Sequence, residues 1–192
     1  MMDDGDAAMV ARVRGGDTDA YRTLVERYSA NLFHLAYRMM GNEQDAEDVV
    51  QESFLRAFRQ LKQFESRANF GTWIHRIAVN CSLDLLRKRQ RQAGRTESLS
   101  AQPDDEIHAL PSEGPSPERL LVNAETREQV NLALNQLTAL ERAAFVLRHF
   151  EEKSIAEISA SLGVSGNAAK QSIFRAVAKL RVVLEPMVNS TP

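Results

Sequence analysis

The chain has a single cysteine, Cys81, among its 192 residues. One thiol cannot build an internal disulfide framework or a cysteine-rich zinc site, which fits a reducing compartment. Long apolar runs are missing as well, and nothing approaches the roughly 18 consecutive apolar residues of a membrane span. The opening MMDDGDAAMV is acidic and has neither a basic n-region nor an apolar core, so no secretory signal is expected. Charge of one sign is not in excess either. The chain has 24 basic and 26 acidic side chains, for a net charge of −2. Taken whole, that balance argues against a nucleic-acid binder, whose domains are usually basic. Catalytic signatures are lacking too. His34, His75, His108 and His149 are scattered without metal-ligand spacing, and there is no nucleophile elbow, P-loop or dinucleotide fingerprint. The expectation is a soluble cytoplasmic protein that is not an enzyme and uses no cofactor or metal.

What is present divides the chain. Of only six prolines, Pro103, Pro111, Pro115 and Pro117 fall within residues 92–118, together with Gly94, Gly114 and many Ser, Asp and Glu. This stretch reads as a flexible acidic linker. It separates residues 1–91 from residues 119–192, each near the lower size limit for a core of its own. The charges follow the same division. Residues 1–91 carry 14 basic and 13 acidic side chains, residues 92–128 carry 3 and 8, and residues 129–192 carry 7 and 5. Near-neutrality is therefore the sum of two mildly basic parts and an acidic tether. Two runs have no acid at all: Arg87, Lys88, Arg89, Arg91 and Arg95, then Lys170, Arg175, Lys179 and Arg181.

Both parts read as helical, and no strand alternation is convincing, so the expected fold is all-α with two small helical domains. Tyr21, Leu24, Val25, Tyr28, Leu32, Leu35, Ala36 and Met39 recur at helical spacing, with Gly41 as a stop. Asn42 can cap a second helix whose first turns carry Glu43, Asp45, Glu47 and Asp48, acids that the helix dipole favours there. A third helix from about Thr72 should bury Trp73, Ile74, Ile77, Ala78, Cys81 and Leu85. In the second part, Thr138-Ala-Leu-Glu141 and Ser154-Ile-Ala-Glu157 each fit a capping box. Helices are expected over 139–149 and 155–162. Gly163 should end the second and Ser165 should cap a last helix over 166–184, which makes a helix-turn-helix pattern.

The faces of these helices suggest surfaces. Along 45–62, Ala46, Val49, Val50, Ser53, Phe54, Ala57, Phe58 and Leu61 form a core stripe, while Asp48, Gln51, Glu52, Leu55, Arg59 and Lys62 lie opposite. Leu55 stands alone among charges, and that face reads either as a solvated one with a stray leucine or as a protein-docking face with a small apolar anchor. Phe64, Phe70 and Trp73 stand beside Arg67, His75 and Arg76; such rings either stack on unpaired bases or fill a core. On the last helix Ala168, Ala169, Ile173, Phe174, Val177 and Leu180 are expected inward. Asn167, Lys170, Gln171 and Arg175 are expected outward, where Lys, Arg and Gln suit phosphates and base edges in a major groove.

Two motifs resemble a known family. Asp45-Ala-Glu-Asp-Val-Val-Gln-Glu-Ser-Phe-Leu-Arg-Ala-Phe58 and Phe70-Gly-Thr-Trp-Ile-His-Arg-Ile-Ala-Val-Asn80 are similar to bacterial RNA polymerase sigma factors of the extracytoplasmic-function (ECF) group. Leu140-Glu-Arg142 with Phe145, Ser154-Ile-Ala-Glu-Ile158 and Ile173-Phe-Arg-Ala176 resemble the group's C-terminal domain. The resemblance implies regions 2 and 4 without region 3 or the acidic region 1.1. It implies docking of region 2 on the clamp helices of the polymerase's largest subunit through Asp48, Gln51, Glu52 and Leu55. It implies further that region 4 meets the flap of the second subunit. It places the promoter −10 element on Arg56, Phe64, Ser66, Asn69, Phe70, His75, Arg76 and Asn80, with Phe64 and Asn80 as walls of a pocket for a flipped base; the basic run after it, with Arg87, Lys88 and Arg89, reads either as further −10 phosphate contacts or as a solvated helix end. The resemblance places the −35 element on Ser165, Asn167, Lys170, Gln171, Ser172 and Arg175. Asn167-Ala168-Ala169 stands where many members have Gly-Thr-Val, and Ser172 occupies a position that is usually basic, so the −35 preference departs from the group. The acidic linker would follow the polymerase channel that nascent RNA takes. An anti-sigma factor is an expected partner, and membrane contact would come only through it. With no partner the two domains are expected to move about the linker, and to be clamped together when an anti-sigma factor binds. The rival reading is a stand-alone helix-turn-helix regulator that binds duplex DNA without polymerase.

Overall fold

The computed structural model describes residues 4–64, 69–96 and 132–188. The expected linker over 92–118 lies mostly outside the described residues, and so does Ser66. All regular structure among the described residues is helical. Helix α1 spans Asp4–Arg14, α2 Thr18–Met40, α3 Glu43–Gln60 and α4 Phe70–Thr96, with a 3₁₀ turn at Leu61–Gln63. After a helical turn at 132–135, α5 spans Ala139–His149, α6 Ile155–Leu162 and α7 Gly166–Val188.

Local chemistry sets most of these boundaries. Asp17 accepts from the Asp19 and Ala20 amides at 3.0 and 3.1 Å and so starts α2. Asn42 Oδ1 accepts from the Asp45 amide at 2.9 Å and starts α3, as its position in the sequence suggests. Both expected capping boxes form. Thr138 Oγ1 accepts from the Glu141 amide at 3.2 Å while Glu141 Oε2 accepts from the Thr138 amide at 2.9 Å; Ser154 and Glu157 repeat the pattern. Gly163 turns the chain between α6 and α7 at φ 64°, a left-handed conformation that glycine adopts without a Cβ clash. Gly71 serves a different purpose. A Cβ there would meet Tyr28 Cε1 at 2.8 Å, so its absence lets the Tyr28 ring lie across the start of α4 against Phe70.

Helix α4 organises the molecule. One of its faces packs on α2 and α3 and another on α5 and α6. Of the stripe the sequence predicts on α4, Ile74, Ile77, Ala78 and Cys81 are buried and Trp73 and Leu85 only half-buried, yet Val79, Ser82, Leu83 and Leu86 are buried as well, because the second part of the chain covers that flank. A single apolar cluster therefore runs from Leu24, Leu35 and Met39 through Ile74 and Val79 to Ala143, Ala144, Leu147 and Ile158. The two parts are packed together in this structure. A smaller cluster joins Ala133 and Leu137 to Ala176 and Leu180. Cys81 is buried in the main cluster, and burial pushes its thiol pKa up, which suits packing rather than redox chemistry.

Polar contacts register the junction. Gln90 of α4 donates to the Leu137 carbonyl at 3.2 Å and accepts from the Ala139 amide at 3.4 Å. Arg38 of α2 and His75 of α4 both meet the carboxylate of Glu151, at 2.8 and 3.2 Å. His75 and then Arg38 hold that carboxylate below its ordinary value of 4.5, against the opposing pull of burial. Its contribution to closure is thus complete above about pH 4.5 and is lost as the pH falls through the lowered value. Interdomain energy transfer should decline over that acid window, and a flat response down to pH 3 would contradict the assignment.

Arg142 of α5 works in the opposite direction. It is 3% exposed, and its Nη1 donates to Asn135 at 3.3 Å while Nε and Nη2 have no hydrogen-bond partner among the described residues. Burial, aided by the charge of Arg89, draws its pKa down to about 10. A buried, incompletely partnered cation costs stability. Arg142→Met should stabilise the fold by about 1 kcal/mol, raising Tm by about 2–4 °C in calorimetry. A lower Tm would show that the guanidinium is fully satisfied.

Candidate nucleic-acid and partner interfaces

Three surfaces follow from how the helices turn. On α3, Asp48 and Gln51 are exposed, Leu55 is 44% exposed, and Glu52 accepts from Arg56 Nε at 2.6 Å. Leu55 borders an open groove of about 830 Å³ between α2 and α3, lined by Tyr21, Val25, Phe33, Val50, Phe54 and Phe58. The groove exists because the apolar surface of α2 is wider than one core stripe. Leu24, Leu32 and Met39 point into the core, and Tyr21, Val25 and Phe33 continue round the flank. The Tyr21 hydroxyl donates to the Phe54 carbonyl at 2.5 Å, and burial raises its pKa. Phe58, expected in the core, is 48% exposed. It lies at the end of α3, where the Tyr21 ring covers it on one side at 4.9 Å between centroids.

The second surface is a stripe along α4. Arg76, Asn80, Arg87 and Arg91 recur at helical spacing and are all exposed. Asp84 interrupts the stripe but is paired with Arg56 Nη1 at 3.0 Å. Arg56, expected to contact DNA, is thus held by Glu52 and Asp84, which also raise its pKa. Three further expectations change here. Phe64 is 7% exposed and Phe70 is buried; together with Trp73 they form an aromatic cluster, with Phe64 4.7 Å from Trp73 and 6.1 Å from Phe70 between centroids. They support the turn rather than wall a pocket, and Arg14 fixes that turn by donating to the Leu61 and Phe64 carbonyls. Asn69 Oδ1 accepts from the Gly71 amide at 2.8 Å and caps α4. Arg89 is bound to Asp45 at 2.5 Å, leaving Lys88 and Arg87 as the exposed cations beside it.

The third surface is the outer side of α7. Asn167, Lys170, Gln171 and Arg175 are exposed, and Ser165 accepts from the Ala168 amide at 3.2 Å. Ser172, expected among them, is 7% exposed, because it lies in line with Ala169, Ala176 and Leu180 on the buried stripe. Phe174, expected in that stripe, is 75% exposed. At about 100° per residue it stands some 200° from Ser172, among Lys170, Gln171 and Arg181.

Comparison with known proteins decides what these surfaces belong to. The model for Sigma-70 region 2 matches residues 24–92, and that for Sigma-70, region 4 matches residues 127–180. The ECF RNA polymerase sigma factor SigW of Bacillus subtilis is 30% identical over 184 residues, covering 93% of this chain and 96% of SigW. The chain belongs to the ECF RNA polymerase sigma factors. The ECF RNA polymerase sigma-E factor of Escherichia coli K12 is 31% identical over 186 residues, covering 96% of each chain. Among solved structures, CnrH in complex with the cytosolic domain of CnrY matches with a TM-score of 0.62 and 28% identity, over 95% of this chain and 98% of that one.

As a sigma factor the protein is a transcription initiation factor and not an enzyme. It acts with RNA polymerase and directs initiation at promoters. Among the described residues no helix is long and apolar enough to cross a membrane. Most of the α3 residues and of the basic residues that the sequence places on outer faces are exposed in the structure. Helical patterning missed the α2 side of the groove and Phe174. The signal for Phe174 was there, since its helical angle places it outside the stripe of Ala169 and Ala176. The corrected assignments separate in denaturation experiments. Phe64→Ala should cost about 3–5 kcal/mol of stability, whereas Phe174→Ala should change it by no more than about 0.5 kcal/mol. Equal losses would contradict the burial pattern.

Proposed function

We propose that the α3 face and the adjoining groove dock the clamp helices of the polymerase's largest subunit, with Asp48, Gln51 and Glu52 as a polar rim and Leu55 as the apolar anchor. An exposed leucine beside an apolar groove and inside a charged border suits a helix laid against α2 and α3. Region 4 meets the flap of the second subunit. The stripe Arg76–Asn80–Arg87 on α4 tracks the separated −10 strand. Its cations hold phosphates, Asn80 hydrogen-bonds an unstacked base, and the exposed edge of Trp73 offers a stacking surface. Capture of the open strand offsets the cost of unstacking, a few kcal/mol for each flipped base. Asn167, Lys170, Gln171, Phe174 and Arg175 of α7 read the −35 duplex. Phe174 supplies an apolar contact of the kind that recognises a thymine methyl group, and Arg175 a donor pair of the kind that recognises guanine. An anti-sigma factor is the regulating partner, as CnrY is a complex partner of CnrH.

The observation that carries this reading is the acid-free face of α7 and the stripe on α4 whose single acid, Asp84, is paired with Arg56. Transcription in vitro with purified core polymerase and a promoter library tests it. The full chain should start transcripts at a shared two-part motif only when core is present. Leu55→Asp should weaken core binding by about tenfold or more, a loss of about 1.4 kcal/mol, with Tm unchanged. Asn80→Ala should reduce −10 strand binding and leave −35 duplex binding intact. Duplex binding with no core-dependent initiation would favour a stand-alone regulator.

A further inference from the structure

The loop after α5 is held firmly. The Glu151 and Lys153 amides donate back to the Val146 and Leu147 carbonyls at 3.2 and 2.9 Å. Glu152 lies at φ 52°, a left-handed conformation uncommon for a residue with a side chain. The turn directs the Glu151 carboxylate out of region 4 and onto region 2. One of its oxygens accepts from Arg38 Nη1 at 2.8 Å, and the other lies 3.2 Å from His75 Nε2. The Phe150 ring lies 5.2 Å from the Arg38 guanidinium. Arg38 comes from α2 and His75 from α4, and they converge on one anion.

A guanidinium and an imidazole gripping the two oxygens of an anion make the kind of contact that a phosphate also receives. His75 precedes Arg76 by one residue, so it lies half-buried on the flank of α4 that faces region 4, next to the exposed stripe that Arg76 begins. We propose that Arg38 and His75 form an anion subsite at the edge of that stripe, which holds the Glu151 carboxylate in the free chain and a backbone phosphate of the −10 strand once region 4 has moved away. The proposal rests on reading the α4 stripe as the strand-binding surface and extends that surface to Arg38. Glu151 is then an internal substitute for phosphate, and closure competes with strand capture for the same two donors. Its carboxylate is anionic at neutral pH, as such a substitute must be, and His75 and Arg38 hold its pKa below the ordinary value of 4.5.

Two measurements test the two occupants. In the first, chain bound to core polymerase is titrated with a fluorescent −10 single strand over a salt series. Arg38→Ala should lower affinity about threefold and reduce the slope of log K against log salt by about 0.7, the loss of one single-strand phosphate contact. Arg38→Lys should restore the slope, since one charge suffices to release one counterion. An unchanged slope in Arg38→Ala would overturn the phosphate assignment. In the second, the free chain carries dyes at Thr23→Cys and Ala178→Cys, both exposed sites on separate parts. As the −10 strand is added, Glu151→Gln should lose energy transfer at a lower strand concentration than the unaltered chain, and an unchanged midpoint would overturn the role given to Glu151. If the unaltered holoenzyme captures no strand, the reading of the stripe fails and the subsite falls with it, an outcome visible before any variant is made.

Discussion

The structure depends on covering both flanks of α4. This helix has more apolar surface than α2 and α3 can bury, and Val79, Leu83 and Leu86 would face water if regions 2 and 4 were separate. At about 25 cal/mol per Å² of apolar surface, residues of that size give a substantial driving force for covering them. Helices α5 and α6 provide the cover, with Ala139, Ala143 and Ala144 allowing close approach and Leu147 and Ile158 filling the space. Two modules that each lie near the size limit of a stable core thereby share one.

Sharing a core need not make closure permanent, and the polar chemistry at the junction keeps it adjustable. Gln90 and Glu151 add directional contacts from one part to the other. Against them stands Arg142, whose guanidinium is buried and only partly hydrogen-bonded, within the field of Arg89. Arg89 is itself drawn to Asp45, so α4 is tied to the start of α3 by an ion pair that closure does not require. The apolar cover favours association, while the incompletely satisfied cation and the ionised latch set how easily it is undone.

Much of this was legible in the sequence because capping and turn chemistry are local. Asn42, Thr138, Ser154 and Gly163 announce helix ends through groups only three or four residues away, and each acts as its spacing suggests. Burial is not local, and there the reading was less complete. Helical periodicity identifies an apolar stripe but not how wide it is or what covers it. Phe58 follows Phe54 by one turn and so reads as core, yet it is half-exposed at the groove, with the Tyr21 ring on one side. The aromatic residues beside cations leave stacking and core packing open, and the family resemblance places Phe64 and Phe70 at DNA; their packing on each other and on Trp73 buries both. Arg56 and Arg89 looked like free cations until Asp84 and Asp45, distant in sequence, were placed beside them. Docking of region 4 on α4 is invisible to any window of neighbouring residues.

Closure also separates the surfaces in their availability. In the closed chain the outer side of α7 faces solvent, with Lys170, Gln171, Phe174 and Arg175 all exposed, and so does the α3 face with Gln51 and Leu55. His75 and Arg38, by contrast, are engaged by Glu151, and the neighbouring flank of α4 is covered. On the proposed reading, a duplex or a docking partner can approach a closed molecule, whereas a single strand that uses the proposed anion subsite cannot occupy it until region 4 leaves. Under that proposal, strand capture would exchange a carboxylate contact for a phosphate contact, so the electrostatic exchange would be close to balanced. What opening must overcome is chiefly the apolar cover on Val79, Leu83 and Leu86. A partner that supplies its own apolar surface to that flank would open the molecule more effectively than one that only competes for charge, because it replaces the largest contribution to closure.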